Sequence, residues 1–332
     1  MSLCYYRHMK TLEILCNKLF DYAGTFPPAS LSFDEALKTT SSFTSELSRP
    51  HLVAVDLVTP VVNLAKIDSA LLERTGVKQG RRFLISALVS ELGEKSGKLS
   101  GELLAIKAFN ASLVDASIPI QTVAVECRLS KYAQEDPASL HTPFDHIRDT
   151  LAGENIRLFL ELDCSASRWV DELRSLCTAL QRANSFLKGS VEFGVKVRGG
   201  GPTGVTNEKL AIIIPLVTEF NLPFKATSGL HHPIIETQPY GEANKLGFIN
   251  LTMALMLSRA LPGKFKGAAV ERCLEGRSVR NFTFTDSKAG FEEFVITGAE
   301  LQSAKKLSHF SIGSCSINEP DDDLVRLFGE PR

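Results

Sequence analysis

Two strand-like segments carry a lysine where a buried parallel strand should be apolar: Val191-Glu-Phe-Gly-Val-Lys-Val-Arg198 and Leu222-Pro-Phe-Lys-Ala-Thr-Ser-Gly229. A buried ammonium costs several kcal/mol unless it is paired or solvated. Both segments run straight into glycine, so Lys196 and Lys225 read as residues at the mouth of a site. A lysine near a second cation in a dry environment loses part of its proton affinity. Its free amine can then attack a carbonyl carbon to form a Schiff base, or act as a base. Glu126, Glu161 and Asp163 close two further strand-like runs and would supply the acid–base partners. Arg198, Thr227, Ser228, His231 and His232 follow the lysines and could hold a substrate. A Lys–carboxylate network that merely closes a core would satisfy the same groups.

Three further motifs bear on the chemistry. Gly199-Gly-Gly201-Pro-Thr-Gly204 formally matches a dinucleotide-binding GxGxxG. The acidic residue required about 20 positions later is replaced by Lys225 and Thr227, so a flexible loop with anion-binding amides is the better reading. Ile312-Gly-Ser-Cys-Ser316 offers Gly313, Ser314 and Ser316 to a phosphate at a strand end. Cys315, within it, reads as a buried inert thiol, because no base can be assigned to it from sequence. His231-His232 gives an alternative in which His232 joins Glu126, Glu161 and Asp163 around a divalent metal, although no HxxxH or HxH spacing supports it.

The elements that must position these groups alternate. Strand-length apolar runs occur at 51–58, 82–89, 120–127, 156–163, 191–198 and 222–227, with helical spacing at 62–75, 95–112, 138–152, 167–185 and 207–220. That pattern gives βαβ units and a parallel sheet. A helix is expected over 9–20, an irregular stretch over 21–28, and a second helix capped by Ser32-Phe-Asp-Glu35. Apolar helices are expected over 245–260 and 265–275, then a strand at 281–286 with a hairpin return through 291–296, a helix from Thr297, a strand at 309–315 and a helix at 320–328. Counting 281–286 as the seventh strand gives eight strand–helix units, hence a (β/α)8 TIM barrel. The expected organisation is one barrel domain over 1–332, with 1–48 a helical extension, 49–332 the barrel, and a hairpin inserted near strand 7. Strand parity agrees. Leu158, Leu160 and Leu162 oppose Phe159, Glu161 and Asp163, and Phe193, Val195 and Val197 oppose Glu192, Gly194, Lys196 and Arg198. Alternation turns the aliphatic set to outer helices and the polar set to the interior, near the strand ends where barrel sites lie.

The chain has 332 residues, 44% of them hydrophobic and 23% charged, with a formal net charge of −1. A pI near 6.7 provides no basic field for nucleic acid or an anionic membrane. Seven cysteines without CxxC spacing suit reduced thiols. Charges at Arg7, Lys10, Glu13 and Lys18 break any signal-peptide core, and no 18-residue apolar run exists, so a cytoplasmic protein is expected. The apolar run 248–257 could pack on a second copy of the chain, leaving a homo-oligomer open.

Two resemblances follow. Asp21-Tyr-Ala-Gly-Thr-Phe-Pro-Pro28, Lys225-Ala-Thr-Ser-Gly-Leu-His-His-Pro233, Gly247-Phe-Ile-Asn250 and Gly313-Ser-Cys-Ser-Ile-Asn-Glu-Pro320 resemble a bacterial family of conserved hypothetical proteins without an established activity. More loosely, Lys196-Val-Arg-Gly-Gly200, Lys225-Ala-Thr-Ser-Gly229 and Gly313-Ser-Cys-Ser316 resemble three strand ends of deoxyribose-phosphate aldolase and related class I aldolases. That resemblance implies that Lys196 is the Schiff-base residue, that Lys225 lowers its proton affinity, and that Gly313 to Ser316 meet phosphate. This chain has Val-Arg where those aldolases have Thr-Ser after the first lysine, and a longer stretch between the second and third motifs.

The expected function is a lyase of aldolase type acting on a small carbonyl-containing metabolite, phosphorylated or not, without a cofactor. Arg198 would hold an anionic group. The alternatives are an enolising lyase or isomerase using a divalent metal on the strand-end carboxylates, and a non-catalytic barrel that binds a small molecule.

Overall fold

The structure is a computed structural model, and it describes residues 9–77, 82–93, 97–112, 120–185, 191–200, 204–235 and 246–329. Residues 201–203 of the glycine cluster and Cys4 lie outside the described residues. The strands are β1 (Phe20–Tyr22), β2 (Val53–Val55), β3 (Leu57–Pro60), β4 (Phe83–Leu88), β5 (Ile120–Arg128), β6 (Ile156–Glu161), β7 (Val191–Arg198), β8 (Phe224–Thr227), β9 (Phe282–Phe284), β10 (Lys288–Phe291), β11 (Phe294–Thr297) and β12 (Ser311–Ser314). Nine of them form one sheet in the order β2-β1-β12-β8-β7-β6-β5-β4-β3. The two ends of that order, β2 and β3, are consecutive in sequence and separated by Asp56 alone. Asp56 breaks the run because its carboxylate accepts from Leu84 N at 2.8 Å. Counted as one strand, β2 and β3 make eight positions, and the fold is the (β/α)8 barrel class.

The chain divides into two compact units. One comprises Asp21–Ser45 and Val55–Lys196; the other comprises Met1–Phe20, Glu46–Ala54 and Val197–Arg332. In the first, β3 to β7 pair in parallel, each with its successor. Helices α1 (Lys10–Cys16) and α2 (Phe33–Glu46) open the chain, and α2 starts at the expected capping box: Ser32 N donates to Glu35 and Glu35 N to Ser32 Oγ. Helices α3 (Ser69–Thr75), α4 (Lys98–Ser112), α5 (Lys131–Glu135), α6 (His141–Thr150) and α7 (Trp169–Ser185) then alternate with strands. The outer face of the sheet meets them as parity predicts: Phe193 of β7 packs on Phe144 of α6, ring centroids 4.5 Å apart.

In the second unit β8 and β12 pair in parallel, Ser311 opposite Lys225 and Gly313 opposite Thr227. Helices α8 (Asn207–Glu219), α9 (Phe248–Ala260), α10 (Ala268–Leu274), α11 (Gly298–Ser308) and α12 (Asn318–Phe328) belong here. Every residue of α9 from Phe248 to Ser258 is buried. A helix apolar all round belongs in a core, and α8, α10 and α11 of the same unit cover it. The run 248–257 is therefore not the open face for a second copy that the sequence suggested.

Two expectations are corrected. The stretch 281–286 is not the seventh barrel strand: β9 joins β10 and β11 in a separate antiparallel sheet, order β11-β10-β9. Its alternation is that of a hairpin strand, which period alone cannot tell from a barrel strand. The count is completed instead by β1, three residues long. Helix α1 stops at Cys16 rather than at residue 20, and the backbone then crosses the second unit extended: Leu19 N donates to Leu52 O, and Ile312 N to Leu19 O.

Helix α11 places Lys305 half-buried against α1, its Nζ donating to Leu15 O at 2.7 Å. Burial lowers its pKa from the ordinary 10.5 to about 8, against a smaller opposing effect of Cys16. A lysine depressed in the folded state binds fewer protons than in the unfolded chain between those two values, so it contributes stability that rises with pH across that window. Wild type should gain on a Lys305→Met variant from pH 8 upward, by at most about 1.4 kcal/mol per pH unit. Urea unfolding at several pH values between 7 and 10 measures this; a difference independent of pH contradicts it.

Candidate functional site

Strand register gathers the first unit's charged residues. Glu161 stands opposite Lys196, Arg128 opposite Glu161, and Glu126 opposite Phe159. Opposed residues share a face and alternate residues return to it, so Glu126, Glu161 and Lys196 all point away from the helix-covered side. Ser86 of β4 lies on the same face, two residues before Leu88, which faces Glu126.

The side chains meet. Lys196 Nζ is 2.8 Å from Glu126 Oε2 and 2.8 Å from Glu161 Oε2. Lys196 is 4% exposed and Glu126 2%, and the Glu161 side chain is 10% exposed. Ser86 Oγ donates to the other oxygen of Glu126 at 2.8 Å. Arg128 Nε approaches Glu161 Oε1 at 3.5 Å from a solvent-exposed position. One ammonium thus serves two carboxylates in a dry site, where such contacts are far stronger than in water. The lysine occupies the place between Glu126 and Glu161 that a cation would take. Among the described residues no group of three or more His, Cys, Asp or Glu is gathered as a metal set. Neighbouring Cys127 is pushed up to about 12, chiefly by burial and against the pull of Lys196.

Asp163 lies beyond the end of β6, exposed, with Oδ1 accepting from Ser165 N at 2.9 Å. A cavity of about 820 Å³ along α5, α6 and α7, lined by Asp136, His141, Arg148 and Arg182 among others, contains none of the expected site residues.

The second unit holds the remaining candidates. Lys225 is fully buried on β8, Arg198 is half-buried at the end of β7, and Thr227 ends β8. Ser228 and Gly229 follow with φ of 69° and 74°. Gly229 Cα would lie 3.1 Å from a Cβ placed on Gly200, so the two loops touch backbone to backbone, a tight fit that glycine at both positions allows. Gly199 N completes that contact by donating to Thr227 O at 2.8 Å. A Cβ on Gly313 would come within 2.8 Å of Thr227 Cγ2, so position 313, one residue before the end of β12, favours glycine.

The two histidines separate. His232 Nδ1 is 2.7 Å from Asp323 Oδ2, which Arg326 also holds at 2.6 Å from its other oxygen. His231 turns to the end of β12, with Nδ1 3.3 Å from Ser314 Oγ. Ser314 is buried and its hydroxyl donates to Ser316 O. Sequence reasoning missed Ser86, and Glu319, whose Oε2 lies 3.7 Å from His231 Nδ1: a serine within a strand carries no signal of its own, and Glu319 reads as an ordinary first-turn acid of a helix.

No protein-family model and no curated protein sequence matches the chain. Among solved structures it is similar to two of a provisionally assigned deoxyribose-phosphate aldolase from Toxoplasma gondii ME49. The first is 12% identical, covering 96% of this chain and 93% of that one with a TM-score of 0.49; the second, an apo form, is also 12% identical, covering 81% and 98% with a TM-score of 0.43. Likenesses at that level carry no weight on function. No helix among the described residues is long and apolar enough to cross a membrane.

The Ser86–Glu126 bond has a measurable consequence. Removing a buried donor to a charged acceptor costs about 1.5–3 kcal/mol. Ser86→Ala should lower stability by that amount in urea unfolding, whereas a loss under about 0.5 kcal/mol, the range of an uninvolved surface change, would show the bond to be idle.

Proposed function

We propose that this chain is a barrel enzyme of lyase type that acts on a small carbonyl-containing metabolite through Lys196. The observation that carries the reading is the Lys196 amine held 2.8 Å from two carboxylates on the interior face of the strands. An ammonium held so cannot attack. It becomes a nucleophile once it passes a proton to one of them, and both lie within transfer distance. We assign that role to Glu126, the more deeply buried, because the neutral acid costs least where water is absent. The amine nitrogen then bonds to the substrate carbonyl carbon. The carbonyl oxygen leaves as water after taking two protons, one returned by the carboxylate and one from the attacking nitrogen. Glu161, closer to solvent and beside Arg128, stays charged and faces the cationic imine. The imine nitrogen draws electrons from the adjacent carbon–carbon bond, which is the chemistry of a lyase.

Lys225 is the second candidate nucleophile, buried on β8. For Arg198, Thr227, Ser228, His231, His232 and the end of β12 at Gly313, Ser314 and Ser316 we propose the binding of an anionic group such as phosphate. Small residues, four hydroxyls and two imidazoles suit that role.

Borohydride trapping with a panel of small aldehydes, ketones and sugar phosphates, read by peptide mass, tests the proposal. A reduced adduct on Lys196 is expected, absent in Lys196→Ala and retained in Lys225→Ala. An adduct on Lys225 alone would move the nucleophile to β8. No adduct on either lysine across the panel would overturn the Schiff-base reading.

A further inference from the structure

Arg49, in the segment that joins α2 to β2, is a buried charge that neither the fold nor the proposed chemistry uses. It is 2% exposed. Its Nη2 donates to Gly329 O at 3.2 Å, a neutral carbonyl just past the end of α12. Nε and Nη1 are buried without any hydrogen-bond acceptor. Among the described residues no carboxylate forms an ion pair with it. The nearby buried carboxylate of Asp321 is taken by Ser48, whose N donates to Oδ2 at 2.9 Å and whose Oγ donates to Oδ1 at 2.9 Å. A guanidinium does not give up its proton inside a protein, so a buried one has to meet an anion. Water would satisfy a donor but not the charge.

A second cation stands close by. Burial, then Arg49, lowers the pKa of His51, with a smaller effect of Lys305 and with Glu13 and Asp321 opposing. Burial pushes Cys16 up to about 11, and Arg49 and Lys305 both pull against it. Arg49 and Lys305 thus act on the same two side chains, and all four residues belong to the second unit. The Nε2 atom of His51 is itself buried and unpartnered.

We propose that Arg49 is the centre of a binding site for a small oxyanion of the phosphate class, completed by His51 and Lys305. The class follows from the guanidinium fork. Nε shares one edge of the fork with Nη2, and Nη1 shares the other. Whichever Nη2 hydrogen goes to Gly329, the opposite edge keeps two parallel N–H groups, which match two oxygens of one anion. The flanking residues Ser48 and Pro50 are exposed and His51 is half-buried, so the guanidinium lies close beneath the surface. That depth suits a free inorganic ion rather than the phosphate of a larger metabolite. None of these residues belongs to the anion site proposed at the ends of β7, β8 and β12.

The test is equilibrium dialysis of the purified full chain against radiolabelled inorganic phosphate at pH 7, in a chloride-free buffer of fixed ionic strength. Wild type should bind phosphate. Arg49→Lys, which keeps the charge but not the fork, should bind it at least about tenfold more weakly. If that variant does not fold, Lys305→Met should still weaken binding severalfold. Arg198→Met should retain the phosphate that Arg49→Lys loses, which separates this site from the strand ends. No phosphate on wild type overturns the proposal. So does binding left unchanged by Arg49→Lys, or by Lys305→Met where that variant stands in, and so does binding abolished by Arg198→Met. Displacement of the phosphate by an equal concentration of chloride would refute the oxyanion class.

Discussion

A single buried ammonium shared by two carboxylates is the constraint from which the rest of the proposed site follows. Lys196 cannot be buried alone, and neither can Glu126 or Glu161. Each is tolerable because the other two are present, so register, strand parity and local charge must agree at that one place. Parallel pairing of β5, β6 and β7 provides this agreement without any loop. Three rigid neighbouring strands fix the heads of three side chains, which is the arrangement that holds a reacting group to a fraction of an ångström.

Two carboxylates meet one buried amine, and that ratio shapes the chemistry proposed for the cluster. Two carboxylates around one lysine keep a proton acceptor in contact with the amine on either side. The same two groups that disarm the amine are those through which it is armed. Ser86 on one side and Arg128 on the other distinguish the carboxylates, one tied into the dry interior and one toward water. Such an asymmetric pair is a reasonable division between a proton carrier and a fixed counter-charge.

Much of this was legible in the sequence, for a specific reason. Alternation in 156–163 and 191–198 is strong because the aliphatic half of each strand packs on helices, and that alternation located Glu161 and Lys196 on the interior face. The barrel class followed from the alternation of strand and helix lengths. What escaped was too short or too ordinary to leave a periodic trace. Three residues of β1 carry no pattern and were hidden behind an α1 that seemed to run further. The segment 281–286 had the right alternation for the wrong sheet. Asp163 satisfied the parity rule but lies past the point where β6 ends. Ser86 meets Glu126 and Glu319 approaches His231 through their positions in space, which one-dimensional spacing does not encode.

The most direct test of the central claim is a double-mutant cycle on Lys196→Met and Glu126→Gln, with stability measured by urea unfolding. Lys196→Met alone should cost about 3–5 kcal/mol, because it strands two buried carboxylates. The double variant should recover part of that loss, with a coupling of about 1–3 kcal/mol. Additive effects within about 0.5 kcal/mol would mean that Lys196 and Glu126 do not depend on each other, and the account built on their pairing would fail.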